Sequence, residues 1–190
     1  MNITEQKILN GIKFFLAKTD NVGRTKLFKL LFFWDFINFK RFGKTVTGYD
    51  YLTYPFGPVP ERLYKQLIKA ELPESIEENF IIELEDDEDD SGYKSFSIKA
   101  KDKTVDFDWL TPNEKSTLED VAFIFKDTTA KEMSEISHLP KKPWDETVKS
   151  KGMFKIIDYL LALDEESPFT LEEAKERLQL QRDLLADGRL

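Results

Sequence analysis

Between Thr25 and Phe42 the chain sets Leu27, Phe28, Leu30, Leu31, Phe32, Phe33, Trp34, Phe36, Ile37 and Phe39 at helical spacing, and together they cover nearly every side of a helix. A helix that is apolar all round belongs at the centre of a fold, contacted from several directions. The other elements must therefore be amphipathic and surround it. The chain of 190 residues suits one domain, or one domain with an appendage. At such a length roughly 70% of the unfolded surface is buried on folding, and sixteen Phe supply much of the core.

Other classes fall away on composition. There is no cysteine, which excludes a disulfide framework and a thiolate metal site. The opening segment, from Met1 to Asp20, mixes charges into an apolar helical pattern and reads as an amphipathic helix, not a signal peptide. No apolar run reaches the length of a membrane span, so the expectation is a soluble cytoplasmic protein. The net charge of −8 is local. Glu83, Glu85, Asp86, Asp87, Glu88, Asp89 and Asp90 account for seven negatives, and the rest of the chain carries −1. A nucleic-acid binder would show clustered Lys and Arg instead.

The spacing predicts a first helix over Thr4 to Lys18, with Thr4 as cap, and a second over Thr25 to Phe42 with Gly43 closing it. Tyr49 to Tyr54 reads as an aromatic strand. It runs into the loop Pro55-Phe56-Gly57-Pro58-Val59-Pro60, with Pro60 as first residue of a third helix striped by Leu63, Tyr64 and Leu67. Residues 78 to 99 form a β-hairpin: Phe80-Ile81-Ile82 and Tyr93 to Ile98 are its arms, and the acidic run with Ser91-Gly92 is its tip. Capping boxes at Thr111, Thr129 and Thr170 announce three more helices. The first has the stripe Leu118, Val121, Ala122 and Phe125. His138 to Trp144 reads as a loop, and Ile156, Ile157, Leu160 and Leu161 as a helical stretch. The fold class is α+β, mainly α-helical: one compact domain over residues 1–165 with a central apolar helix and a small antiparallel sheet, and a charged C-terminal helix over 166–190 packed on it or extending from it.

Catalytic motifs are missing. There is no glycine-rich phosphate loop, no GxSxG elbow, and one histidine, so paired-histidine metal sites are excluded. His138, beside Leu139 and Pro140 and near Trp144, reads as a packed structural histidine. Asp35 and Asn38 sit among apolar neighbours and need hydrogen-bond partners if buried. No enzyme and no cofactor are expected. For partner binding, Tyr49, Tyr51, Phe56 and Tyr64 are the aromatic candidates around a stiff loop, and they serve equally well as half-buried strand residues. Arg24, Lys26 and Lys29 add cations at the start of the second helix.

Lys26, Leu27, Lys29, Leu30, Leu31, Phe32 and Phe33 follow a K-L-x-K-L-L-[YF]-F pattern. Asp35 comes shortly after. Gly43, Val46, Thr47 and Gly48 then match a G-x-x-[ILV]-T-G turn, and Phe56-Gly57-Pro58-Val59-Pro60 matches Y-G-P-V-P. Ser137-His138 and Pro143-Trp144 follow in order. In these motifs the chain resembles the Panacea (SocA-like) antitoxin family over about residues 5 to 165. Where relatives carry a histidine three residues after the acidic position this chain has Asn38, which leaves room for a hydrogen-bonded Asp35–Asn38 pair. The added helix-turn-helix module of many relatives has no room here outside the domain.

The resemblance implies an antitoxin that neutralises a cognate protein toxin by direct non-covalent binding, or hands it to a protease as a proteolytic adaptor, in a phage or prophage setting. It implies a structural role for Asp35, Asn38, Gly48, Gly57, Pro58, His138 and Trp144. Toxin contact is expected, from the residues themselves, at Tyr49, Tyr51, Phe56, Tyr64, Lys26 and Lys29. It leaves a homo-oligomer open and gives no place to membrane or nucleic acid. The alternative is a winged-helix-like transcription regulator with the 78–99 hairpin as its wing. Against it, an acidic wing tip would face phosphate and repel it.

Overall fold

The computed structural model describes residues 2–69, 73–88 and 94–188, with side chains described for these except 85–88, 94 and 95. The first helix, α1 (Ile3–Lys18), is capped by Asn2, not by Thr4, which lies inside the first turn. The Glu5 amide donates to Asn2 Oδ1 at 2.8 Å, and the Asn2 amide donates to Glu5 Oε2 at 3.1 Å. Asparagine takes the cap because Glu5 stands at the third helical position, where a capping box closes.

α2 (Arg24–Phe42) is the central rod that its composition predicts. Leu27, Leu30, Leu31, Trp34 and Phe39 have no exposed surface. α1 crosses it where Gly11 faces the indole of Trp34; a Cβ on Gly11 would sit 2.6 Å from that ring's Cη2. Phe15 meets Trp34 edge-on at 5.9 Å. Trp34 Nε1 donates to the Glu114 carbonyl at 3.0 Å, which satisfies a fully buried indole. Gly43 caps the helix in the left-handed region, as expected.

The aromatic strand, β1 (Tyr51–Tyr54), is shorter than expected and has a partner that the prolines concealed. β2 (Gly57–Pro60) folds back on it through the two residues Pro55 and Phe56, pairing Tyr51 with Pro60 and Tyr54 with Gly57. Residues 57–60 are thus a strand, not a loop, and Pro60 ends it instead of starting a helix. Proline is tolerated because β2 is an edge. The far side of β1 is occupied: the Phe154 amide donates to the Thr53 carbonyl at 2.7 Å, the Thr53 amide to Lys155 at 3.0 Å, and the Ile157 amide to Tyr51 at 2.8 Å. The ladder alternates, so Leu52 and Tyr54 bond toward β2, and Pro58 and Pro60 fall at positions where no N–H is needed.

α3 (Glu61–Lys69) buries Leu63, Tyr64 and Leu67. α4 (Glu74–Asn79), which the sequence reading lacks, is short and buries Ile76. It leads into β3 (Phe80–Glu88) and β4 (Lys94–Ala100), an antiparallel hairpin that turns Phe80, Phe96 and Ile98 into the core. The tip of the hairpin, including Asp89, Asp90, Ser91, Gly92 and Tyr93, lies outside the described residues.

α5 (Pro112–Ile124) and α6 (Ala130–Ser137) begin at the expected capping boxes of Thr111 with Glu114 and Thr129 with Glu132. α7 (Pro143–Lys151) corrects the reading of 138–144 as loop: Pro143 opens this helix, and Trp144 is already in it. Residues 156–161 are not an α-helix. Gly152 at φ 88° and Phe154 at φ 59° turn the chain into the extended stretch beside β1, and only a 3₁₀ turn, Tyr159–Ala162, follows. Finally α8 (Leu171–Ala186) buries Ala174 and Leu178. Its Gln181 side chain brackets Thr45, accepting from the amide at 2.9 Å and donating to the carbonyl at 2.8 Å. α2 touches α1, α5, α6, β2, β4 and the 159–162 turn, which makes it the shared core. Among the described residues no helix is long and apolar enough to cross a membrane.

Candidate functional site

Asp35 is buried in the middle of α2 with no exposed surface. Its carboxylate accepts from the amides of Val46 at 2.6 Å and Thr47 at 2.8 Å, from the Tyr51 hydroxyl at 2.8 Å, and from the Thr47 hydroxyl. Burial pushes this carboxyl above its ordinary range, and the four donors pull against that push. Asn38, one turn on, bonds elsewhere. Its Nδ2 donates to the Lys44 carbonyl at 2.8 Å, and its Oδ1 accepts from the Thr117 hydroxyl at 3.1 Å. The two residues thus fasten different pieces: Asp35 the 46–51 segment that aims β1, Asn38 the turn after α2 and the flank of α5. Gly48, in that segment, has φ 68°, and a Cβ there would meet Leu185 at 2.8 Å.

A second joint holds β2. Lys29 is fully buried and donates to the Pro58 carbonyl at 3.1 Å. Desolvation brings its ammonium down to about 7, with the Arg24 charge acting in the same direction. Gly57 has φ 98°, in the left-handed region, and a Cβ there would sit 2.5 Å from Ser137 Oγ and 2.7 Å from Lys29 Cε. Only glycine meets both demands. Ser134 Oγ donates to the Phe56 carbonyl at 3.0 Å, and Trp144 Nε1 donates to the Tyr54 carbonyl at 3.1 Å. His138 stacks on Trp144 at 3.8 Å. Burial, then the Lys29 charge, lowers the imidazole below its usual value, and its Nε2 is buried with no hydrogen-bond partner among the described residues. Gly57, Pro58, His138 and Trp144 therefore gather around the hairpin, and Asp35 reaches it through Tyr51, while Asn38 and Gly48 hold the turn after α2 against α5 and α8. Among the described residues no group of three or more acidic or histidine side chains is arranged to hold a metal.

Several residues expected at the contact surface are instead inside. Tyr51 has no exposed surface because its hydroxyl belongs to Asp35. Tyr64 is 6% exposed and packs edge-on against Phe28 at 5.9 Å. Lys26 is buried too. Its ammonium donates to the carbonyls of Asp20 at 2.7 Å and Lys126 at 3.0 Å, tying the loop before α2 to the loop after α5. Lys26 and Lys29 look like surface cations in sequence, but each is an internal cross-link to backbone oxygen.

What faces outward is Phe56, 44% exposed at the turn of the hairpin. Beside it, Arg24, Phe28, Tyr54 and Tyr64 line a dimple of about 20 Å³, room for one water molecule. On the other flank lies a wide groove of about 1000 Å³, bordered by Ile8, Tyr49, Leu52, Arg62, Phe154 and Ile156. Tyr49 is partly exposed there, while Phe154 and Ile156 are half-exposed. Sequence reasoning missed Phe154 and set Ile156 in a helix; the glycine at 152 was the available signal that the helix stops. A hairpin anchored on both sides and bearing aromatic and aliphatic surface can grip a polypeptide.

A family model described as antitoxin SocA-like, Panacea domain, matches residues 27–145, which run from α2 to the first turn of α7. No curated protein and no solved structure matches the chain.

Proposed function

The chain belongs to the SocA-like antitoxin family with a Panacea domain, and from that premise we propose that it neutralises a protein toxin by direct non-covalent capture on the β1–β2 hairpin. The observation that carries this reading is the contrast at the hairpin turn. The Phe56 side chain is 44% exposed, while the backbone on either side is bonded to Ser134, Trp144 and Lys29. An apolar anchor on an immobile support loses little conformational freedom on binding, which is what a tight contact requires. Phe154 and Ile156, on the extended stretch that flanks β1, add a second exposed apolar patch beside the hairpin.

The contact set is therefore Phe56, Phe154, Ile156 and Tyr49, with Tyr51, Tyr64, Lys26 and Lys29 acting behind it as supports. The test is growth rescue in cells that express a toxin encoded by a neighbouring gene. Phe56→Asp combined with Ile156→Asp is expected to abolish protection while circular dichroism and Tm stay those of the parent. Full protection by the folded double variant would remove the hairpin from the interface. Toxin abundance read in the same cells separates two routes: an unchanged level supports capture, and a falling level supports delivery to a protease.

A further inference from the structure

The inner stripe of α5 leaves two apolar residues unexplained. Val121, Ala122 and Phe125 are buried, and Phe125 stacks on Phe33 at 4.6 Å. Phe123 and Ile124, between them, point outward and are 84% and 57% exposed. Leu139, just past α6, is 48% exposed and joins them in a concave surface of about 610 Å³. A single exposed Leu needs no explanation, but a cluster led by an almost bare Phe marks an interaction surface. The rim has one sign. Asp127, Glu132 and Glu135 line this surface, and among the described residues no Lys or Arg does. Glu132 is fixed in place by the cap of α6, accepting from the Thr129 amide at 2.8 Å.

That charge decides the occupant. A second copy docked face to face would set these carboxylates against their own equivalents, an unfavourable isologous contact. Anionic lipid and nucleic acid would be repelled in the same way. We infer that the α5–α6 surface docks a basic amphipathic segment of a protein partner, its apolar anchor against Phe123, Ile124 and Leu139 and its Lys or Arg side chains on the acidic rim. This is the mode in which an amphipathic helix lies in a groove with charges at its edges. The surface is built from elements other than the hairpin and stands whether or not the hairpin captures a toxin.

The probe is a short synthetic peptide with Leu and Phe at helical spacing and Lys elsewhere, titrated into the full chain by fluorescence anisotropy. Amide shifts in NMR locate it. Binding centred on Phe123 and Leu139 is expected. Phe123→Ser, and separately Asp127→Lys with Glu135→Lys, should each weaken it by about tenfold or more, equivalent to about 1.4 kcal/mol. Phe56→Asp should leave it unchanged. The same peptide with Glu for Lys should not bind, and the version with Ser at its apolar positions should bind far more weakly. Equal binding of the Ser version, indifference to both sets of variants, or a self-association removed by Phe123→Ser in place of peptide binding would each overturn the inference. All these side chains are exposed, so the variants fold, and unchanged Tm verifies it.

Discussion

Asp35 accepts four hydrogen bonds with one buried carboxylate, and three of the donors lie in the segment 46–47 and one in β1. Removing the acceptor strands all four. Asp35→Ala is expected to cost about 3–5 kcal/mol, since each buried donor left without an acceptor costs roughly 1–3 kcal/mol. Urea denaturation measures it. A loss below about 1 kcal/mol would mean that water replaces the carboxylate, and the anchor reading would fail. In sequence Asp35 stands out only as a charge amid aromatic residues. The need for partners was legible there; their identity was not, because the donors lie eleven to sixteen positions away. Lys29 is a harder case. A lysine at the start of a helix ordinarily lies on the surface, and nothing local signals that β2 will close over it.

The β1–β2 hairpin depends on Gly57, where β2 begins. Gly57→Ala would place a Cβ 2.5 Å from Ser137 Oγ at a backbone angle of φ 98°. The expected cost is about 2–4 kcal/mol, combining left-handed strain with forced separation of β2 from α6. The loss should appear in thermal unfolding and in weaker toxin protection together; a variant with parental Tm would show that the joint has slack. Helices with caps were legible as elements: the boxes at Thr111, Thr129 and Thr170 lie where the pattern puts them, because a cap is local chemistry. The β2 strand and the stretch 153–157 were not. Two prolines argue against a strand unless one knows that its outer edge is unpaired. A short apolar run such as Ile156-Ile157 fits helix or strand equally well until a neighbour claims its backbone.

Stability of the molecule as a whole should depend on pH through its interior bases. Lys29 releases its proton at about 7 in the folded chain but holds it to its ordinary value of 10.5 when unfolded. Between those values the unfolded chain binds more protons, so stability rises with pH across the window, by up to about 1.4 kcal/mol per pH unit. Below pH 7 both states are protonated and the Lys29 penalty is full. His138 acts in the same sense lower down: its folded pKa lies below 6.5, so acidification through that region favours the unfolded chain further. Chemical denaturation at pH 7 to 10 is expected to show the rise, and Lys29→Met to flatten it. An equal slope in the variant would mean that the Lys29 ammonium stays charged in the fold.

Composition and periodicity alone determined that one apolar helix is central, that capped amphipathic helices surround it, and that residues 78 to 99 form a hairpin. Each of these follows from side chains a few positions apart, so the information is local. Tertiary structure decided the rest. It turned Tyr51, Lys26 and Lys29 inward, paired 57–60 and 153–157 with β1, and left Phe56, Phe123, Ile124 and Leu139 facing solvent. Which apolar or charged side chain is exposed depends on which distant backbone covers it, and no local pattern carries that.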